Sequence, residues 1–278
     1  MKQTIALLVF LLISSLGFSQ TGEKLKGSKN VIVKEYATPT FTSVFIQDDI
    51  QVSFVKSDTT GIVLEADDNL QEALKIANNG GVINLSLNNK ITSFKKFEIK
   101  IFYTDALKNI ETTGQSKLMI LDEMKLEEVT FRLNGKTKLY LNLNVKVALF
   151  ELNDESTMEV NVKCEKIHFV MTKEAVVKAL VAATELKVDQ YQKSKSSFEG
   201  DAIDLKVRMD NNAKFIGKYL TAKNVEITSE AYSNISVFAE TNCIINAFAN
   251  SEIELYGEPT IELKKFTGKA ILKKNTLK

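Results

Sequence analysis

The sequence predicts an all-β protein, a right-handed parallel β-solenoid (β-helix) behind a mixed N-terminal capping block with one short helix. Three observations predict it. A small residue, any residue and then an apolar residue opening an alternating run recur from Ser116 to Ala270. Phe131, Phe150 and Phe169 repeat at steps of 19. Polar tips such as Asn134-Gly135, Asn153-Asp154, Thr172-Lys173, Asn211-Asn212 and Ser229-Glu230 fall between the small residues.

The small residues are Ser116, Thr137, Ser156, Ala175, Ser196, Ala213, Ser233, Ser251 and Ala270, with a mean spacing near 19. Each repeat reads as strand, turn, strand, turn. A strand plus a crossover helix needs roughly thirty residues, so the repeat is too short for one. It suits one coil of a solenoid, with coils stacked at the sheet spacing of about 4.8 Å. Like residues then lie above like, which explains both the small-residue column and the Phe column. An antiparallel meander also alternates with turns, but needs no fixed residue at a fixed phase. The right hand follows from the general preference of parallel crossovers.

The remaining elements follow in chain order. Lys2, the apolar run Ile5 to Ile13 and the small residues up to Ser19 read as a signal peptide, residues 1–19, cleaved between Ser19 and Gln20. The run is too short to span a bilayer, and no later segment is apolar enough to do so. The mature chain is expected outside the cytoplasm, in the periplasm, on the cell surface or secreted, with no transmembrane span. Residues 20–40 are polar and read as a flexible lead-in. Residues 41–104 form the cap. Val44 and Ile46, then Ile50, Val52 and Phe54, alternate around an Asp48-Asp49 turn. Asp67-Asp68-Asn69 offers helix-capping side chains before Leu70, Leu74 and Ala77, which predicts one short helix ended by Asn79-Gly80-Gly81. Coils occupy 105–274. Gly257-Glu258-Pro259 breaks the ladder late, and the closing lysines charge the last edge.

Composition limits function. Hydrophobic residues are 44% and charged residues 26%, enough for a core and against disorder. Lys+Arg (36) and Asp+Glu (35) nearly cancel, so the bulk charge makes no case for nucleic acid or an anionic membrane. Cys164 and Cys243 fall about four coils apart, roughly 19 Å along the axis, beyond the 7 Å or so a disulfide spans. They read as unpaired thiols. His168 is the only histidine, too few for a typical zinc site or a Ser-His-Asp scheme. It is expected to point away from Phe169. Arg132 and Arg208 are 76 apart and predicted to share a column. A polysaccharide-active enzyme would need acids clustered beside one of them. Asp48, Asp49, Asp67 and Asp68 could hold Ca²⁺, but turn and capping roles fit paired acids better. No phosphate loop, nucleophile elbow or metal-spaced pair occurs. The reading therefore assigns no catalytic, cofactor-binding or metal residue and no cofactor.

The block Phe41-Thr42-Ser43-Val44 through Asp49-Ile50-Gln51-Val52-Ser53-Phe54 resembles the opening of the head GIN domain family, also called putative auto-transporter adhesin. Asp67-Asp68-Asn69-Leu70, the strand Gly80-Gly81-Val82-Ile83-Asn84-Leu85-Ser86-Leu87 and the closing Gly257-Glu258-Pro259 carry the resemblance on, over about 41–274. It implies an envelope-associated, adhesin-like protein of Bacteroidetes-type bacteria, with no catalytic residues to carry over. This chain differs in having Lys, Glu and Asn where the family's coil corners are Gly-rich. The expected function is a non-enzymatic binding module whose partner is a glycan or another envelope polymer. The alternatives are a structural or stress-linked envelope protein without ligand and a polysaccharide-active β-helix enzyme.

Overall fold

The computed structural model describes residues 24–277, and the signal-peptide reading falls outside them. The described chain is nearly all-β, with 70% strand and 2% helix, and winds into a β-solenoid of about nine turns. Strands β1 (Lys24–Lys26), β2 (Val31–Ala37), β3 (Ser43–Ile46), β4 (Gln51–Lys56) and β5 (Gly61–Asp67) come first. A 3-10 helix, Asp68–Ala73, leads into β6 (Leu74–Asn79), β7 (Val82–Leu87), β8 (Lys90–Ser93) and β9 (Phe97–Tyr103). The coils are β10 (Asn109–Thr112), β11 (Lys117–Leu133), β12 (Lys138–Leu152), β13 (Thr157–Met171), β14 (Val176–Gln190), β15 (Lys195–Met209), β16 (Lys214–Ser229) and β17 (Asn234–Ala247). The chain closes on β18 (Glu252–Tyr256), β19 (Thr260–Phe266) and β20 (Ile271–Lys274).

Neighbouring strands from β10 to β20 run parallel, as a solenoid requires. Each long strand has two segments. In β12 the buried positions Leu139, Leu141, Leu143 and Val145 alternate with outward ones, two exposed residues follow at Lys146-Val147, and Ala148, Phe150 and Leu152 resume the inward phase. Two outward residues in succession reset the period-2 alternation, so both segments face one core across a bend. The bend residues Lys146, Glu165, Thr184 and Ile203 stand outside the pairing register.

Register confirms the Phe column and amends the small-residue column. Phe131–Phe150 and Phe150–Phe169 stack with ring centroids 5.3 and 5.0 Å apart. Val176 pairs with Lys195, so Ser194 rather than Ser196 lies beside Ala175. Ser196 sits one step inward, opposite Val177, where its hydroxyl donates to Gln190 in a small polar patch of the core. With Ser194 in place, the spacing around this coil becomes an even 19. The column must be small because each tight turn folds over it. Ser116, Thr137, Ser194 and Ser233 are fully buried and return their hydroxyls to the carbonyl three residues back.

Two residues before each small residue the backbone is left-handed. Glycine holds that place at 114, 135 and 268, but Asp154, Lys173, Gln192, Asn211, Ala231 and Ala249 hold it elsewhere. At Gly135 the choice is forced, because a Cβ would lie 2.5 Å from the Gly114 carbonyl oxygen.

The first layers are stacked out of sequence order. β3 lies between β7 and β10, and β4 between β9 and β11. Beyond them the ladders turn antiparallel: β6 closes one on β7, and β5 with β2 closes the other on β9. The expected short helix is one 3-10 helix, and Leu74 and Ala77 lie on β6 instead. It crosses from one ladder to the other and plugs the core with Leu70, Gln71 and Ala73. The polar stretch read as a flexible lead-in differs as well, since β1 pairs with β8 and β2 with β5. Charged residues can form such strands where, as in β2, most positions face solvent.

Candidate binding groove

After the bend, each second segment sends alternate side chains outward, and the parallel register stacks them into two walls. One wall runs Val147, Lys166, Glu185, Asp204, Asn224, Asn242. The other, two residues on, runs His168, Lys187, Lys206, Glu226, Ile244. Between them lies the column Ala148, Ile167, Leu186, Leu205, Val225 and Cys243, whose side chains turn into the core. The result is a groove of about 740 Å³ along the solenoid axis. That size suits a bound small molecule or a stretch of polymer.

Charges in the groove are paired from coil to coil. Lys166 Nζ lies 2.7 Å from Glu185, and Lys206 Nζ 3.0 Å from Glu226. The hydrogen bond to Glu185 holds the Lys166 ammonium above its ordinary range, and that to Glu226 does the same for Lys206. Asp189, on the next outward column, receives both His168 (2.8 Å) and Lys187 (2.9 Å). Burial pushes its carboxyl up, but hydrogen bonds from His168 and Lys187 outweigh that and leave it below the ordinary value. Amides continue the ladder: Asn224 Nδ2 donates to Asp204 Oδ1 at 2.9 Å, and Asn242 Nδ2 to Asn224 Oδ1 at 2.8 Å. Such a surface offers ordered donors and acceptors at a repeat of about 4.8 Å, with aliphatic stems and backbone between them.

The residues singled out by the sequence are dispersed. Arg132 and Arg208 do share a column, through Glu151, Val170 and Asp189. Arg132 is paired with Glu151 at 2.6 Å. Among the described residues no group of three or more His, Cys, Asp or Glu could hold a metal. His168 does face away from the buried Phe169. Cys164 and Cys243 are free, lie on different segments and are four strands apart in the stack. Burial pushes their thiols up to about 11 and about 12, which disfavours the nucleophilic thiolate.

Asp48 and Asp67 serve the backbone, and Asp68 ties side chains of the preceding turn. Asp48 has φ +69 and accepts the Leu87 N–H at 2.8 Å. Asp67 is fully buried and accepts the N–H groups of Lys29, Lys95 and Lys96 at 2.9, 3.1 and 3.0 Å. Asp68 takes the Ser28 hydroxyl and the Asn30 amide. The groove itself escaped the sequence reading. Its only sequence signal is a polar residue on each side of an apolar one, just after the bend, as in Lys166-Ile167-His168, Glu185-Leu186-Lys187, Asp204-Leu205-Lys206 and Asn224-Val225-Glu226.

No curated protein matches this chain. Solved structures do, at the level of the fold. A "putative adhesin" from Parabacteroides merdae is 15% identical, with a TM-score of 0.64 and coverage of 91% of this chain and 99% of that one. A "putative adhesin" from Parabacteroides distasonis is 14% identical, with TM-score 0.67 and coverage of 91% and 100%. A "putative lipid binding protein" from the same organism is 15% identical, with TM-score 0.58 and coverage of 92% and 100%. The family model "Putative auto-transporter adhesin, head GIN domain" matches residues 40–180 and 157–259. Those matches span most of the solenoid and its cap, and the chain belongs to that family.

Proposed function

We propose that this protein is a non-catalytic binding module working outside the cytoplasm, and that it holds an extended envelope polymer, a glycan in the first instance, along the groove. The observation that carries this reading is the groove's repetition. The same two outward columns recur over several coils, so a chain-like ligand meets similar contacts at each step. Contacts that are individually weak then add along a rigid scaffold. The paired charges suit a neutral, hydroxyl-rich ligand, since they leave ordered hydrogen-bonding groups without a strong net field. The family's adhesin description and the Lys2 to Ser19 leader support the location. No helix among the described residues is long and apolar enough to cross a membrane.

A glycan array tests the reading. The processed chain should retain extended glycans, and filling the groove with Asn224→Trp should weaken that retention at least tenfold. Uniform silence across the array, or equal binding by the variant, rejects the groove as the site. N-terminal sequencing of the exported protein should begin at Gln20.

A further inference from the structure

We propose that the C-terminal end of the solenoid docks on an anionic lipid surface. This goes beyond the groove reading and does not depend on it. The last rung leaves core-facing side chains with no coil beneath them. Ile261, Leu263 and Phe266 lie under Cys243, Ile245 and Ala247, all three wholly buried, yet are themselves 40%, 50% and 38% exposed. On β20 Leu272 lies under the wholly buried Ile253 and is only partly covered itself, while Ile271 faces outward beside it and is 47% exposed. An apolar patch of this kind, rimmed by polar groups, marks an interaction site.

The rim is basic. Residues 260–277 hold five lysines against one glutamate, although the whole chain carries a formal +1. The near-zero total thus averages a basic end with a slightly acidic remainder. Lys273 and Lys274 are paired with Glu252 and Glu258. Lys264, Lys265 and Lys269 have no ion-pair partner among the described residues.

The edge is shaped against another strand. β19 carries an irregularity between its pairings at Leu263 and Lys265, which leaves Lys264 out of register. Lys274 stands opposite Leu255, at a core-facing position. A bulge and an inward-placed lysine are devices that block strand addition. A second copy meeting this end would also bring like charges together. A bilayer interface needs no strand pairing. It takes apolar tips at the headgroup boundary, lysines on lipid phosphates, and leaves the edge's N–H and C=O groups in hydrated headgroups.

The test is flotation of the chain from Gln20 onward, which carries the whole described fold, with vesicles. Phosphatidylcholine–phosphatidylglycerol vesicles in equal parts should carry it, and pure phosphatidylcholine vesicles should not. High salt should release it. The triple variant Lys264→Glu, Lys265→Glu, Lys269→Glu should lower partitioning on the order of 100-fold, and Leu263→Ser with Phe266→Ser should also weaken it. The Lys→Arg triple should bind as the parent does, which guards against a folding defect. Equal flotation with both vesicle types, no flotation with either, or an unchanged Glu triple overturns the proposal. So does a concentration-dependent dimer in sedimentation that the Ser variant abolishes, because a second copy would then cover the patch. A glycan-array failure leaves this outcome untouched, and flotation failure leaves the groove untouched.

Discussion

The two ends of the solenoid solve one problem in opposite ways. At the first end both parallel ladders turn antiparallel, and a 3-10 helix crosses between them with Leu70 fully buried. At the last end β19 is exposed along its whole length. Every solenoid must end its sheets somewhere, and an open rung exposes both backbone groups and core side chains. The first end spends about eighty residues on closure. The last spends lysines, a bulge and a partly uncovered core. Closure is thus a stability device at one end, while the other keeps an accessible face.

The largest expected effect comes from deletion. Removing residues 24–56 takes away β3 and β4, which lie between two other layers, and should abolish cooperative unfolding by circular dichroism. Removing 260–277 should leave a cooperative melt. If both truncations behave alike, the contrast between the ends fails. Next come point changes. Leu70→Ala removes a buried plug side chain and should cost about 2–5 kcal/mol in urea unfolding. Leu263→Ala, at an exposed core-facing position, should stay within about 0.5 kcal/mol.

Asp67 sharpens the comparison through pH. Burial raises its carboxyl, but the N–H groups of Lys95, Lys29 and Lys96 overcome that and leave it lowered from 3.8. A lowered folded value means its stabilisation is present above the unfolded value and is lost as pH falls through the folded one. Acid melts of the parent should therefore lose stability below about pH 4, and Asp67→Asn should flatten that fall while lowering stability at neutral pH. An unchanged acid profile would remove Asp67 as a fastener of the cap. The smallest effect belongs to the turns. Ala231→Gly relieves a left-handed alanine at φ +53, offset by glycine's greater chain entropy, so a gain of only a few tenths of a kcal/mol is expected by thermal melting.

Legibility followed the range of the forces. The Phe column and the small-residue column were readable because identical environments recur every coil and demand similar side chains. The slip to Ser196 arose because Ser194 and Ser196 are both small, and only pairing register separates them. The layer order was hidden, since Val44 pairs with Ile83 and Ile110, partners that no local pattern names. Strands β1 and β2 were hidden because solvent-facing positions carry no apolar alternation. The 3-10 helix showed Leu70 and Leu74 at helical spacing, yet Leu74 already belongs to the following strand. The groove was hidden because it is a relation between columns, while a sequence displays rows.

The out-of-order layers also set a timetable. A chain made from its N-terminus cannot seat residues 43–56 until 82–103 have emerged to lie beneath them. Once that foundation closes, each further coil finds a finished template and adds by local winding alone. Growth therefore has one direction, away from the antiparallel end and toward β20.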